Sequence, residues 1–229
     1  MIRIAIIAAL PGELKPLVRG WQHERRGGID LWRRHQGERE WVGACAGVGA
    51  AAAARAFAEV ERGGRIDRVI SAGWAGAAAA EFATGRAYHV SGLVDARTGE
   101  RFRVAVPSAK APGDCWLATS PRVADPAEKR RLAAAFGAGL VDMEAAEIAR
   151  LAAARSIPVH CVKGVSDGPA DLLPDFNRFI SEDGQWEGLR FIAFALGRPR
   201  HWPALLRLAK NSRKAAGHLR DRLLEVLNP

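Results

Sequence analysis

No segment of the chain approaches the roughly 20 consecutive apolar residues that a membrane-crossing helix needs. The first apolar run, IRIAIIAAL, is short, has no cleavage-site pattern and meets Pro11 and Gly12, so it reads as a first strand and not as a signal peptide. Cysteine is scarce. Cys45, Cys115 and Cys161 are odd in number and lack paired spacing, which argues against a disulfide framework and for buried free thiols in a reducing, cytoplasmic setting. The six histidines are scattered, with no partner at metal-ligand spacing, so no bound metal is expected. Acids thin out near the C-terminus: Arg198 to Arg222 hold eight Lys and Arg against the single acid Asp221.

What is present is enough for one core. With 229 residues and 48% hydrophobic content the chain is expected to form a single domain. Its formal charge of +9, concentrated in the tail, invites an anionic partner such as phosphate, nucleic acid or an acidic membrane face. A long helix from about Pro203 to Leu227 carries an apolar stripe through Leu205, Leu208, Ser212, Leu219 and Leu223, with most of the basic residues elsewhere. Such a helix packs on a core or lies at an anionic membrane surface.

Along the chain, a strand from Ile2 to Ala9 breaks at Pro11 and Gly12, and a helix is expected from Glu13 through Arg19. Ile29 to His35 and Glu38 to Ala46 alternate around a Gly-containing turn and read as a hairpin, followed by an Ala-rich helix to about Arg62. Gly47, Gly49 and Ala52 have the offsets of a dinucleotide fingerprint, but the preceding strand reads as a charged hairpin arm and Asp67 precedes a strand instead of ending one. The turn is therefore read as a close backbone approach to a ligand or a neighbouring strand. Asp67 to Gly73 is a buried strand and SAGWAGAAAA a small-residue loop interrupted by Trp74. Arg86 to Ala96, Arg101 to Val106 and Cys115 to Thr119 are expected as strands, Ser108 to Gly113 as loop, and Asp125 and Pro126 as a helix start.

The richest stretch is Gly139 to Asp171, read as strand, helix, strand and a carboxylate-bearing loop. Asp142 caps a helix starting at about Met143; counting by helical steps from Glu144 reaches Ile148 and Leu151, so an acid opens an apolar face. Glu144 either complements the positive helix end or serves a ligand. The run PVHCVKGV is a buried parallel strand ending at Ser166 and Asp167, the latter a turn former or a ligand group. Glu13, Glu144 and Asp167 are all expected beyond carboxyl ends of strands, at one edge of the sheet, where open α/β sheets bind ligands. From Leu173 an acidic short helix and a helix from Trp186 to Leu196 precede the basic one.

Together IIAALPGEL, VDMEAAEIA and VKGVSDGPAD, with SAGWAG between the first two, resemble the nucleoside phosphorylase and nucleosidase superfamily, in layout the methylthioadenosine/S-adenosylhomocysteine nucleosidases, over about residues 1 to 195. The resemblance implies a three-layer α/β/α sandwich over a mixed central sheet, with residues 1–197 catalytic and 198–229 a basic helical extension. It implies that Asp167 protonates the purine at N7, Glu144 with Met143 holds the ribose hydroxyls, and Glu13 orients the attacking water. Ser166, Gly73 and Trp74 would line the substrate, and backbone near Val123 and Ala124 would read the purine edge. No cofactor is implied, although phosphate is a conceivable co-substrate; Trp74, standing where relatives carry a phosphate-binding Ser, favours water.

A Trp-containing basic tail is similar to the hopanoid-associated phosphorylase branch, which acts on adenosylhopane. That branch implies a lipid-linked nucleoside; superfamily relatives commonly pair subunits, so a homodimer is expected, and the basic residues 198–229 suit peripheral contact of a cytoplasmic enzyme with the anionic inner membrane face, with no nucleic-acid partner expected. The other readings kept open are a methylthioadenosine/S-adenosylhomocysteine or futalosine nucleosidase, and a basic nucleic-acid- or lipid-binding protein with an inactive pocket.

Overall fold

Residues 1–107 and 114–228 are described by a computed structural model of the chain; the segment expected as loop, Ser108 to Gly113, lies outside the described residues. The chain runs β1 (Ile2–Ala8), α1 (Pro11–Leu14), β2 (Gln22–Arg26), β3 (Ile29–Gln36), β4 (Arg39–Cys45), α2 (Ala50–Arg62), β5 (Arg68–Ser71), β6 (Trp74–Ala77), β7 (Ala87–Val90), β8 (Gly92–Asp95), β9 (Arg101–Arg103) and β10 (Trp116–Thr119). It continues through α3 (Pro126–Phe136), β11 (Leu140–Asp142), α4 (Ala145–Ala153), β12 (Val159–Asp167), a 3-10 turn (Phe176–Phe179), α5 (Gly188–Leu196), a second 3-10 turn (Pro199–His201) and α6 (Trp202–Leu227). All described strands join one mixed sheet in the order β2-β3-β4-β1-β5-β12-β6-β11-β10-β8-β9, with β7 also on β12.

β1 shows why the layers form. Apart from Arg3 its residues are apolar on both faces, and side chains alternate across a strand. Ala5 and Ile7 meet Ala52, Ala56 and Phe57 of α2 and Ile148 of α4, whereas Ile4, Ile6 and Ala8 meet Leu14 of α1 and Leu219 and Leu223 of α6. Across the sheet, Leu117 and Leu140 pack with α4, and Ala118 and Val141 pack with Leu132 of α3. Helices thus cover both faces of a mixed sheet, as expected of the α/β/α sandwich. The basic C-terminal segment divides in two: from Ala215 onward α6 is built into the core, while its first half borders a cavity.

Several local expectations are corrected. The helix after β1 ends at Leu14, one turn from Pro11, and the residues up to Gly20 make further turns instead of a helix to Arg19. β2, unforeseen because QHERR is wholly polar, forms an outer strand against β3. The segment read as a small-residue loop contains β6, whose alanines and glycine fit between β12 and β11 because they are small. The strand expected over Arg86–Ala96 splits at Ser91 into β7, antiparallel to β12, and β8, parallel to β10. The expected acidic short helix is only a 3-10 turn at Phe176–Phe179.

Two further differences bear on the site. β4 is the expected hairpin partner of β3, but it is also a core strand: six of its seven residues are buried and its other edge pairs in parallel with β1. The Gly47–Gly49 turn after it does approach a neighbour closely; a Cβ at Gly47, where φ is 112°, would lie 2.4 Å from the Gly184 carbonyl. Second, β11 and β12 are not adjacent parallel strands. β6 lies between them, parallel to β12 and antiparallel to β11, so Glu144 reaches the cavity from the opposite direction to Asp167 and not from the same strand ends.

Candidate active site

The three expected acids open into one cavity of about 890 Å³, which Glu13, Glu144 and Asp167 line together with Met143, Ser166, Trp74, Val123 and Ala124. Gly73 is the exception. It stands outside the lining, and a Cβ there would sit 2.9 Å from Glu13 Oε1, so its lack of a side chain makes room for that carboxylate.

Glu13 is fixed by its backbone. Pro11 opens α1 at a position where no amide is missed, and Glu13 folds back so that the Leu10 N–H donates to Oε2 (2.8 Å) and the Trp74 N–H to Oε1 (2.7 Å). Burial raises its pKa above the usual carboxylate range, and these two amides and the charge of Lys163 moderate the rise.

Glu144 lies at the cap position, because α4 begins at Ala145 and not at Met143. Asp142 still receives the starting helix, accepting from the Ala145 N–H at 2.9 Å. Thr119 Oγ1 donates to Asp142 at 2.7 Å and accepts from the Ala146 N–H, which ties β10 to β11 and α4. Glu144 is thereby freed from the helix and accepts from the Gly49 N–H at 2.7 Å, the use found for the glycine turn. Beneath both acids lies Lys163, 1% exposed, whose Nζ contacts Asp142 (2.9 Å) and donates to the Ala72 carbonyl (3.0 Å). Burial alone would lower the Lys163 pKa, but the carboxylates of Asp142 and Glu144 outweigh it and hold the ammonium charged.

Burial, and then the charge of Asp142, push the Glu144 pKa up to about 8. Because the folded value exceeds the ordinary 4.5, the folded state holds a proton that the unfolded chain has shed between those two pH values. The associated stability is complete below about 4.5 and is lost as pH rises through about 8. Thermal melts across that window should show the wild type losing stability relative to Glu144→Gln; parallel curves would contradict this assignment.

Asp167 ends β12 with one oxygen accepting from Ser166 Oγ (2.6 Å) and the other against the Lys129 ammonium. Lys129, within the charged run EKRR, is not among the residues the sequence singles out. The signal was its spacing: Lys129 is three residues before Leu132, on the buried side of α3, and it is 2% exposed while also donating to the Gly168 carbonyl at 2.7 Å. Asn177, likewise unforeseen, pairs its carboxamide with the Val123 N–H (2.8 Å) and carbonyl (3.2 Å), so a purine reading Val123 must displace it. Among the described residues no group of three or more His, Cys, Asp or Glu is placed to hold a metal ion.

A family model for the phosphorylase superfamily matches residues 3–112 and 106–187. The chain belongs to that superfamily. No curated protein sequence matches it significantly. Similar solved structures of the superfamily's fold include futalosine hydrolase of Helicobacter pylori, at 14% identity and a TM-score of 0.75, covering 99% of this chain and 97% of that one. Another is the 5′-methylthioadenosine/S-adenosylhomocysteine nucleosidase of Neisseria meningitidis in complex with methylthio-immucillin-A, at 17% identity and a TM-score of 0.74, covering 99% of both chains. The S-adenosylhomocysteine nucleosidase of Streptococcus pyogenes, in complex with 5-methylthiotubericidin, shares 23% identity with a TM-score of 0.64 over 92% of this chain and 97% of that one. At such identities the likeness is one of fold, and that fold extends through α6.

Proposed function

We propose that this member of the phosphorylase superfamily cleaves the N-glycosidic bond of an adenosine-type nucleoside and releases adenine, with water as the nucleophile. The observation that carries the reading is the convergence of Glu13, Glu144 and Asp167 on one cavity, each held by named donors. Asp167, with Lys129 at its side, delivers a proton to purine N7, and the C1′–N9 electron pair leaves with the base. The sugar becomes oxocarbenium-like, and the Glu144 carboxylate at its hydroxyls stabilises the positive charge. Glu13 takes a proton from the water that attacks C1′, a division of labour shared with inverting glycosidases. A buried acid at the attacking face repels phosphate, which favours hydrolysis over phosphorolysis.

The outer cavity suits a large apolar 5′ substituent. The whole cavity, at about 890 Å³, is near the top of the roughly 300–1,000 Å³ range of small-ligand sites, and Phe176, Trp186, Phe191, Leu205 and Leu208 add an apolar lining to that of the acids. That lining supports a nucleoside carrying a triterpenoid chain, adenosylhopane, as the substrate over methylthioadenosine, S-adenosylhomocysteine or futalosine. Incubation with adenosine, methylthioadenosine and a 5′-alkyl adenosine, with and without phosphate, should release free adenine without phosphate and fastest from the alkyl substrate. No adenine from any of them would refute the enzymatic reading, and a strict phosphate requirement would refute water.

A further inference from the structure

The cavity reaches the surface beside α5 and the start of α6, since Trp202 and Leu206 line it and are 46% and 70% exposed. Around that mouth the surface is unusual. No residue of α5, GLRFIAFAL, is buried. Its inner side rests on an aromatic cluster in which Phe191 meets Phe176, Phe179 and Trp186. Its outer side presents Leu189, Ile192 and Leu196, at helical spacing on one face, 85%, 53% and 67% exposed. A contiguous apolar face of this kind on a soluble fold marks an interaction surface.

The charge around it narrows the partner. From Gly188 to Arg220 there is no acidic residue, and Arg198, Arg200, Arg207, Lys210 and Lys214 are exposed without an acid partner among the described residues. A second copy of this chain would bring two such basic surfaces together. Nucleic acid would gain nothing from aliphatic side chains. An anionic phospholipid surface satisfies both features, taking the leucines and isoleucine into the boundary between headgroups and acyl chains and the cations onto its phosphates.

We propose that α5 and the first half of α6 form a docking surface for an anionic bilayer, with the cavity mouth set at the membrane plane. The expectation of contact through residues 198–229 is thereby moved: the anchor includes α5, and the part of α6 beyond Ala215 belongs to the core. That the mouth admits a lipid-tailed nucleoside from the bilayer rests on the proposed function; the docking itself does not.

The test is co-sedimentation of the full chain with phosphatidylcholine vesicles, with or without phosphatidylglycerol. The wild type should pellet only with the anionic vesicles, and less so as salt rises. The triple variant Leu189→Glu/Ile192→Glu/Leu196→Glu, whose positions lie outside the cavity lining, should lose about tenfold or more of this binding while releasing adenine from a soluble nucleoside at the wild-type rate. Arg198→Glu/Arg200→Glu, which leaves the apolar face intact, should weaken the preference for anionic lipid. Wild type remaining in the supernatant, or a triple variant that binds unchanged, would overturn the proposal. So would a triple variant that only converts a dimer to a monomer. Vesicle binding by a protein that releases no adenine would refute the enzymatic reading and leave the docking surface standing.

Discussion

With Asp167 replaced by Asn, adenine release is expected to slow by a factor on the order of 10²–10⁴, the usual contribution of a positioned acid. Asparagine keeps the shape of the side chain and an oxygen that can still accept from Lys129 or Ser166, so the fold should be retained and the loss should be one of chemistry. Adenine leaves poorly as an anion, and the neutral carboxamide has no proton to give at N7. A riboside whose leaving group departs readily as an anion, such as nitrophenolate, should be hydrolysed by Asp167→Asn at close to the wild-type rate. Equal losses on both substrates would mean that Asp167 holds the site together instead of protonating the base. Initial rates on the two substrates decide between these outcomes.

Lys163→Met is expected to produce the largest loss of stability, about 3–5 kcal/mol, because it leaves a buried carboxylate without its partner. Lys163 and Asp142 are both almost wholly buried, 2.9 Å apart, and Asp142 also serves Thr119 and the first amide of α4. Methionine fills much of the volume of the lysine stem, so the cost comes from the uncompensated charge and not from a cavity. Adding Asp142→Asn should recover part of the loss, and urea unfolding of the two single variants and the double variant gives the coupling directly. A loss under about 1 kcal/mol in Lys163→Met would show that the pair contributes little. The same variant should raise the Glu144 pKa further, since the ammonium that favours its ionised form is gone.

The Glu144 titration also predicts how activity follows pH. The carboxylate that stabilises a cationic sugar must be ionised, so kcat/KM of the free enzyme should rise as pH increases through about 8. Glu144→Gln should lack that rising limb as well as most of the activity.

What was legible in the sequence follows from which signals are local. The three acids were found because each follows an apolar strand within a few residues, a pattern that needs no knowledge of the rest of the fold. The reason offered for their convergence was partly wrong: strand direction cannot be read from β11 itself, and its antiparallel placement depends on β6, whose small residues carry no strand signal. β2 was hidden because both of its faces are polar. Lys129 is a charged residue on a helix face, and only its contact with Asp167, 38 residues away in the chain, gives it a role. Asn177 reaches Val123 from 54 residues away through an irregular segment that no periodicity describes. The apolar stripe of α6 was legible by its helical spacing, and Leu219 and Leu223 of that stripe are among the most buried residues, but where along the helix the core contact begins cannot be read from the stripe alone.

The central claim is tested most directly by a crystal structure with an adenosine analogue that carries a cationic ring in place of the ribose. N7 of the base is expected against Asp167, the ring hydroxyls on Glu144, and a water held by Glu13 on the face opposite the base. An analogue bound away from these three carboxylates, or seated with its base turned from Asp167, would contradict it.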